Sequence, residues 1–191
     1  MSGCNGEGEG INSFALVSYL PSPLGEFLDQ LRMDLVCDCR AKAHVTVLPP
    51  RPLLCSAEEA WRELAWRLQD IPPFQVELGD VQVFPVTQVV YLSVIAGGAE
   101  LKLLHETLNS GRLAFEEPFE YHPHVTLAQD LEVAGEPAVA VAEVTELARA
   151  RWREFQHRRS FVVDKLTFVQ NTLGNLWTDL NGFPLVSSVR I

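Results

Sequence analysis

Tyr121-His122-Pro123-His124-Val125-Thr126-Leu127-Ala128 is the stretch on which the reading of this chain turns. Its centre, His124-Val125-Thr126, has a counterpart one chain half earlier, in Ala43-His44-Val45-Thr46-Val47-Leu48. A strand sends alternate side chains to opposite faces. If each stretch is a strand, His44 and Thr46 share one face, and so do His124 and Thr126. Val45, Val47, Val125 and Leu127 then point into a core. Each strand would hold out one imidazole and one hydroxyl on a rigid apolar support. Two such strands facing each other would make a site with two histidines and two threonines.

Working outward, the remaining segments supply the supports. Residues 1–11 are rich in Gly and Glu with little to bury, which predicts a disordered tail ahead of one bilobal domain over 12–191. Residues 14–20 form an apolar run that stops at Pro21, a strand. Ser22-Pro23 is read as N-cap and first turn of a helix with Leu24, Phe27, Leu28 and Leu31 on one stripe. The first triplet strand follows, with Pro49-Pro50-Arg51-Pro52 expected to stop it. Ser56-Ala57-Glu58-Glu59 reads as a capping box. It opens a helix carrying Trp61, Leu64, Ala65 and Leu68, which Pro72-Pro73 ends. Residues 74–78 and 81–83 alternate apolar and polar, interrupted by Gly79-Asp80 as a turn or bulge. Residues 89–95 read as a strand buried on both sides. Gly97-Gly98 leads into a helix with Leu101, Leu104, His105 and Leu108 at helical spacing, closed by Asn109-Ser110-Gly111. After the second triplet, 137–157 reads as a helix. Residues 161–169, 176–180 and 185–190 read as strands. Hairpin-like strand pairs mixed with helices predict an α+β fold with antiparallel sheets, and the paired triplets suggest a weak internal duplication.

Bulk properties exclude several classes. With 191 residues, 47% of them hydrophobic, the chain can bury a proper core. A net charge of −10 argues against tight grip on long nucleic acid, which needs a basic face, and leaves room for a small anionic ligand in a local pocket. No apolar run is long enough to span a membrane, and no signal-peptide core is visible at the start. Cys4, Cys37, Cys39 and Cys55 do not form the framework of a small secreted protein and read as reduced thiols of a cytoplasmic one. Cys37-x-Cys39 could be half a metal site, but no second Cys pair follows it. Gly97-Gly98-Ala99-Glu100 lacks the lysine and spacing of a phosphate-binding loop.

Histidine has an unperturbed pKa of ~6.5, so a pair can hold one neutral and one protonated ring near neutral pH. The neutral ring takes a proton from water or a hydroxyl, and the protonated ring gives one to a leaving oxygen. In-line displacement at phosphorus suits that arrangement, because nucleophile and leaving group lie opposite one another. Thr46 and Thr126 can donate to the non-bridging oxygens. No metal or other cofactor is required.

His44-Val45-Thr46-Val47 and His122-Pro123-His124-Val125-Thr126-Leu127-Ala128 resemble the two signature motifs of the 2H phosphoesterase superfamily, the 2′-5′ RNA ligase-like proteins. The resemblance runs from about Phe14 to the C-terminus. It implies a two-lobed α+β fold with pseudo-twofold symmetry, flanking helices and a central groove. It also implies metal-independent cleavage, or reverse ligation, of 2′,3′-cyclic or 2′-5′ phosphodiesters in nucleotides or RNA ends. By motif, His44 and His124 would be the acid–base pair and Thr46 and Thr126 the phosphate donors. Gln129-Asp130 stands where many relatives acting on RNA carry a basic residue, and the first motif runs into Pro49-Pro50-Arg51-Pro52. With the acidic charge, these departures point to a small nucleotide or RNA end as the partner of a monomer. The alternative is a non-catalytic nucleotide- or RNA-binding module of the same fold.

Further candidates surround the triplets. His122 shares the face of His124 if the strand extends that far, and is read as supporting the site or as a surface side chain. Arg51 is a candidate phosphate contact. Tyr19 and Tyr121 can stack on a base or pack at the rim. His105 is read as a core or boundary residue. The arginines at 149, 151, 153, 158 and 159 are read as a solvated face balanced by Glu143, Glu146 and Glu154.

Overall fold

The computed structural model describes residues 8–36, 41–131 and 137–186. Two four-stranded antiparallel sheets form the frame. In chain order the elements are β1 (Gly10–Tyr19), α1 (Leu24–Leu35), β2 (His44–Arg51), α2 (Ala57–Leu68), β3 (Phe74–Val83), β4 (Val90–Ala96), α3 (Gly98–Leu108), β5 (His124–Ala128), α4 (Pro137–Glu154), β6 (Ser160–Val163), β7 (Lys165–Thr172) and β8 (Trp177–Pro184). The first sheet has the order β2-β1-β7-β8 and the second β5-β4-β3-β6. Each triplet strand thus lies at an edge of its own sheet, paired with one antiparallel neighbour.

The alternation expected of the strands is what builds the core. Leu16, Val45, Val47, Val76, Leu92, Val125, Leu127 and Phe168 point inward and join one apolar cluster that runs through both sheets and takes in all four helices. Leu24, Leu28 and Leu31 seat α1 on it, and Ala60, Leu64 and Leu68 seat α2. The capping box of α2 is present, with the Ser56 hydroxyl accepting from the Glu59 amide and the Glu59 carboxylate accepting from the Ser56 amide. The Trp152 indole of α4 donates to the Gly79 carbonyl at 2.9 Å, inside the β3 irregularity. Leu78 pairs with Val94 and Val81 with Leu92, so one residue is inserted and Gly79-Asp80 is a bulge within one strand.

Several expectations need correction. β1 begins at Gly10, so the last two residues of the expected tail belong to a strand. Residues 1–7 lie outside the described residues, as do Cys37, Cys39 and 187–190 of the expected last strand. Pro23 itself takes the cap position of α1, without a capping side chain, while the Ser22 hydroxyl binds Glu26. Pro49-Pro50 does not stop β2, which runs on to Arg51. An edge strand has a free side where a missing N–H costs nothing. The run 161–169 is two strands: β6 pairs with β3 in the second sheet and β7 with β1 in the first, so the chain crosses between lobes at Asp164. β4 is buried on both faces only at Val90, Tyr91 and Leu92, and Ile95 is exposed.

Candidate active site

The two triplets adopt the same local structure. From Ala41 to Leu48 and from Tyr121 to Ala128 the burial sequence is identical, with Val45, Val47, Val125 and Leu127 inside and His44, Thr46, His124 and Thr126 half-buried on the other face. His44 Nδ1 lies 2.6 Å from the Lys42 carbonyl, and His124 Nδ1 lies 2.6 Å from the His122 carbonyl. A carbonyl only accepts, so each Nδ1 carries the proton and each neutral ring presents Nε2 as its acceptor. The Thr46 and Thr126 hydroxyls take no partner among the described residues. The spacing His-x-Thr also occurs at His105-Glu106-Thr107, but on a helix, where residues two apart do not share a face. There the Thr107 hydroxyl turns back to the Leu103 carbonyl.

The halves hold each other's triplets. β2 packs against β5, α1 against β5 and α3 against β2. The buried Arg32 of α1 donates through Nη1 to the Thr126 carbonyl at 3.0 Å. In the other direction the Tyr121 hydroxyl donates to the Thr46 carbonyl at 2.7 Å, and His105 Nδ1 to the Val47 carbonyl at 2.8 Å. Side chains of one half therefore fix the main chain of the other half's motif.

Electrostatics separates the two imidazoles. Burial pushes His44 down to about 4, aided by the charges of Arg32 and His124 and opposed by the Lys42 carbonyl and Asp29. The strands that carry the two rings, β2 and β5, pack against each other. His124 is also lowered, by burial first and by the neighbouring charge of His122, against the pull of its bond to the His122 carbonyl. Both rings are thus biased to the neutral form.

The remaining candidates divide. Tyr19 is cross-strand from His44, with ring centroids 6.3 Å apart. His122 is exposed and lies 6.4 Å from the His124 ring. Arg51 is not a phosphate contact. It is 2% exposed, and its guanidinium is consumed by the Pro49 and Leu113 carbonyls, Asn109 and the Glu117 carboxylate. One face of the Tyr121 ring is stacked on His105 at 4.0 Å, and its hydroxyl is engaged with the Thr46 carbonyl. His105 is buried, as expected. Of the helix arginines, Arg149 pairs with Glu146 and Arg151 with Glu154 on the same helix and with Asp34 of α1.

Three features of the site escaped the sequence. Tyr91 is cross-strand from Thr126, and with Phe84 stacked on it at 4.0 Å it meets the His124 ring edge-on. Asp179 accepts from the Tyr19 hydroxyl at 2.6 Å across 160 residues of chain. Arg32 left a trace in the sequence: it sits among Leu28, Leu31 and Leu35, a cation on an apolar stripe.

Comparison with known proteins agrees with this geometry. The sequence profile of the 2′-5′ RNA ligase superfamily matches residues 20–175. A protein of Geobacillus kaustophilus with a provisional phosphoesterase name is 25% identical over 174 residues, 86% of this chain and 91% of that one. One of Bacillus mycoides, named in the same way, is 29% identical over 148 residues, 73% and 80%. Among solved structures, Escherichia coli LigT in complex with NADP+ superposes with a TM-score of 0.64 at 19% identity over 94% of this chain and 99% of that one. Kluyveromyces marxianus Usb1 gives 0.58 at 15% over 92% and 99%. At these identities the structural likeness establishes the fold.

Proposed function

Because this chain belongs to the 2′-5′ RNA ligase superfamily, we propose that it is a metal-independent phosphodiesterase of 2′,3′-cyclic or 2′-5′ bonds in small nucleotides or RNA ends, reversible as ligation. The observation that carries the reading is the duplicated constellation: two imidazoles with Nδ1 tied back, each beside a threonine whose hydroxyl, like the ring's Nε2, has no partner among the described residues.

In this reading His44, held neutral far below working pH, takes the proton of the attacking water as its oxygen bonds to phosphorus. The bond from phosphorus to the 2′ or 3′ oxygen breaks on the opposite side. His124, whose burial is offset once an anion sits against it, gives its proton to that oxygen. Thr46 and Thr126 donate to the non-bridging oxygens as their charge grows. LigT has been solved with ATP, with 3′-AMP and with phosphate, which supports a small nucleotide in a site of this shape. The acidic charge and the engagement of Arg51 inside the protein support a small substrate over long RNA. A cytoplasmic monomer is the expected form.

Hydrolysis of a nucleoside 2′,3′-cyclic phosphate tests the reading. It is expected to survive chelator and to show a bell-shaped pH dependence. Activity lost with chelator and restored by a divalent ion overturns the acid–base assignment. Binding of cyclic nucleotide without turnover identifies a binding module instead.

A further inference from the structure

A second built feature lies beside His44 and takes no part in the proton transfers. The pairing of β7 with β8 slips between Phe168 and Val169: Phe168 faces Asn181, and Val169 faces Asp179. One residue is inserted in β8, and such a bulge re-aims the side chains beyond it. Asp179 and Trp177 consequently stand on the face of Val169. Through β1 this is also the face of Val17, cross-strand from Thr46, and of Tyr19, cross-strand from His44.

That face has its own apolar floor. Ala15, Val17 and Val169 form a cluster separate from the main core, and the half-buried rings of Tyr19 and Trp177 pack against it. The Tyr19 hydroxyl reaches across β7 to Asp179 Oδ1 at 2.6 Å. Burial first, and then this bond, hold the Tyr19 phenol well above its ordinary range, so it stays a donor. The other oxygen, Asp179 Oδ2, has no partner among the described residues, and the residue is exposed. The Lys42 ammonium lies over this ring, 5.7 Å from its centre.

A ring clamped in place loses little freedom when something stacks on it. A free carboxylate oxygen repels a second phosphate and accepts from an amino group, whereas the N3–H of uracil would bring its two flanking carbonyl oxygens against the carboxylate. The occupant that satisfies both is a flat, uncharged base carrying an amino group, attached to a sugar whose phosphate lies at the histidines. We propose that Tyr19, Trp177 and Asp179 form the nucleobase subsite on the His44 side, with Asp179 selecting adenine, guanine or cytosine over uracil. The inference rests on the proposed function for its phosphate.

The test compares nucleoside 2′,3′-cyclic phosphates with glycerol 1,2-cyclic phosphate, which has no base. Tyr19→Ala and Trp177→Ala are expected to raise KM for the nucleotides about tenfold each, the usual worth of a stacked base. The loss should be at least fivefold smaller, roughly, for the glycerol compound, which cannot stack. Asp179→Asn, an exposed change that keeps the fold, is expected to erase the preference for amino-bearing bases over uracil. If the wild type turns over cyclic nucleotides with no base preference and the three variants keep its KM, the subsite is wrong and the reaction stands. If the wild type turns over nothing, the reaction reading fails. Calorimetric titration with 3′-AMP then decides the subsite: binding weakened about tenfold in Tyr19→Ala supports it, and unchanged binding overturns it.

Discussion

The two triplet strands present the same face and are held by different means. β2 is eight residues long and ends in a buried polar knot, where Arg51 meets Glu117, Asn109 and two carbonyls, while Tyr121 and His105 grip its main chain from the other half. β5 is five residues long, and among the described residues Arg32 reaches across to the carbonyl of its threonine. In the proposed reaction, proton transfer constrains the positions of imidazoles and hydroxyls to a fraction of an ångström, which would account for the same presenting face appearing twice. The support must only be rigid, and many side chains can make it so. Presentation is duplicated and support is free to diverge.

The largest effects should come from the shared face and be equal in both halves. His44→Ala and His124→Ala are each expected to lower kcat by roughly 10²–10⁴ with little change in substrate affinity. The double variant should be scarcely worse than the worse single one, because the pair acts as a unit. Thr46→Ala and Thr126→Ala should each cost less, about 10². A large effect in one half and none in the other, measured by steady-state kinetics, would break the equivalence.

The supports should differ in stability instead. Arg51→Met strands the Glu117 carboxylate in a site where that side chain is 10% exposed, and is expected to cost about 3 kcal/mol in urea unfolding. Arg32→Met removes a charged donor from the Thr126 carbonyl, and about 2 kcal/mol is expected. Equal losses would mean that the two lobes are supported alike after all.

This division also explains what the sequence could reveal. The face was legible because strand alternation writes it at a period of two: His44, Thr46, His124 and Thr126 came directly from spacing. The capping box at Ser56 and the helix of Leu101, Leu104 and His105 were legible for the same reason, since their signals are local. The supports were not. Arg51 looked like a phosphate ligand because it follows the first motif, but its partners other than the Pro49 carbonyl lie 58 to 66 residues away. The bond from Tyr19 to Asp179 depends on an inserted residue in β8, and the crossing at Asp164 on which sheet each half of a continuous apolar run joins. Long-range pairing leaves no mark in a short window.

The smallest effect lies in the electrostatics that sets the two histidines apart. His44 titrates in the fold at about 4, below its ordinary value of ~6.5. Between those two values the unfolded chain binds the proton and the folded one does not, so stability rises with pH across that window. The contribution is complete above ~6.5 and is lost as pH falls toward 4. His44 is half-buried, which moderates the penalty, and about 1–2 kcal/mol should vanish between pH 7 and pH 5. His44→Gln removes the titrating group and should flatten that slope in chemical unfolding at a series of pH values. His124→Gln should flatten it too, both through its own lowered titration and because the His124 charge is one of those that depress His44. Arg32→Met acts on the same imidazole from the support side. It should raise the His44 titration, visible in the imidazole proton signals, and so make the slope shallower. If the slope is unchanged in all three variants, His44 is solvated in the free protein and the electrical asymmetry of the two halves does not exist.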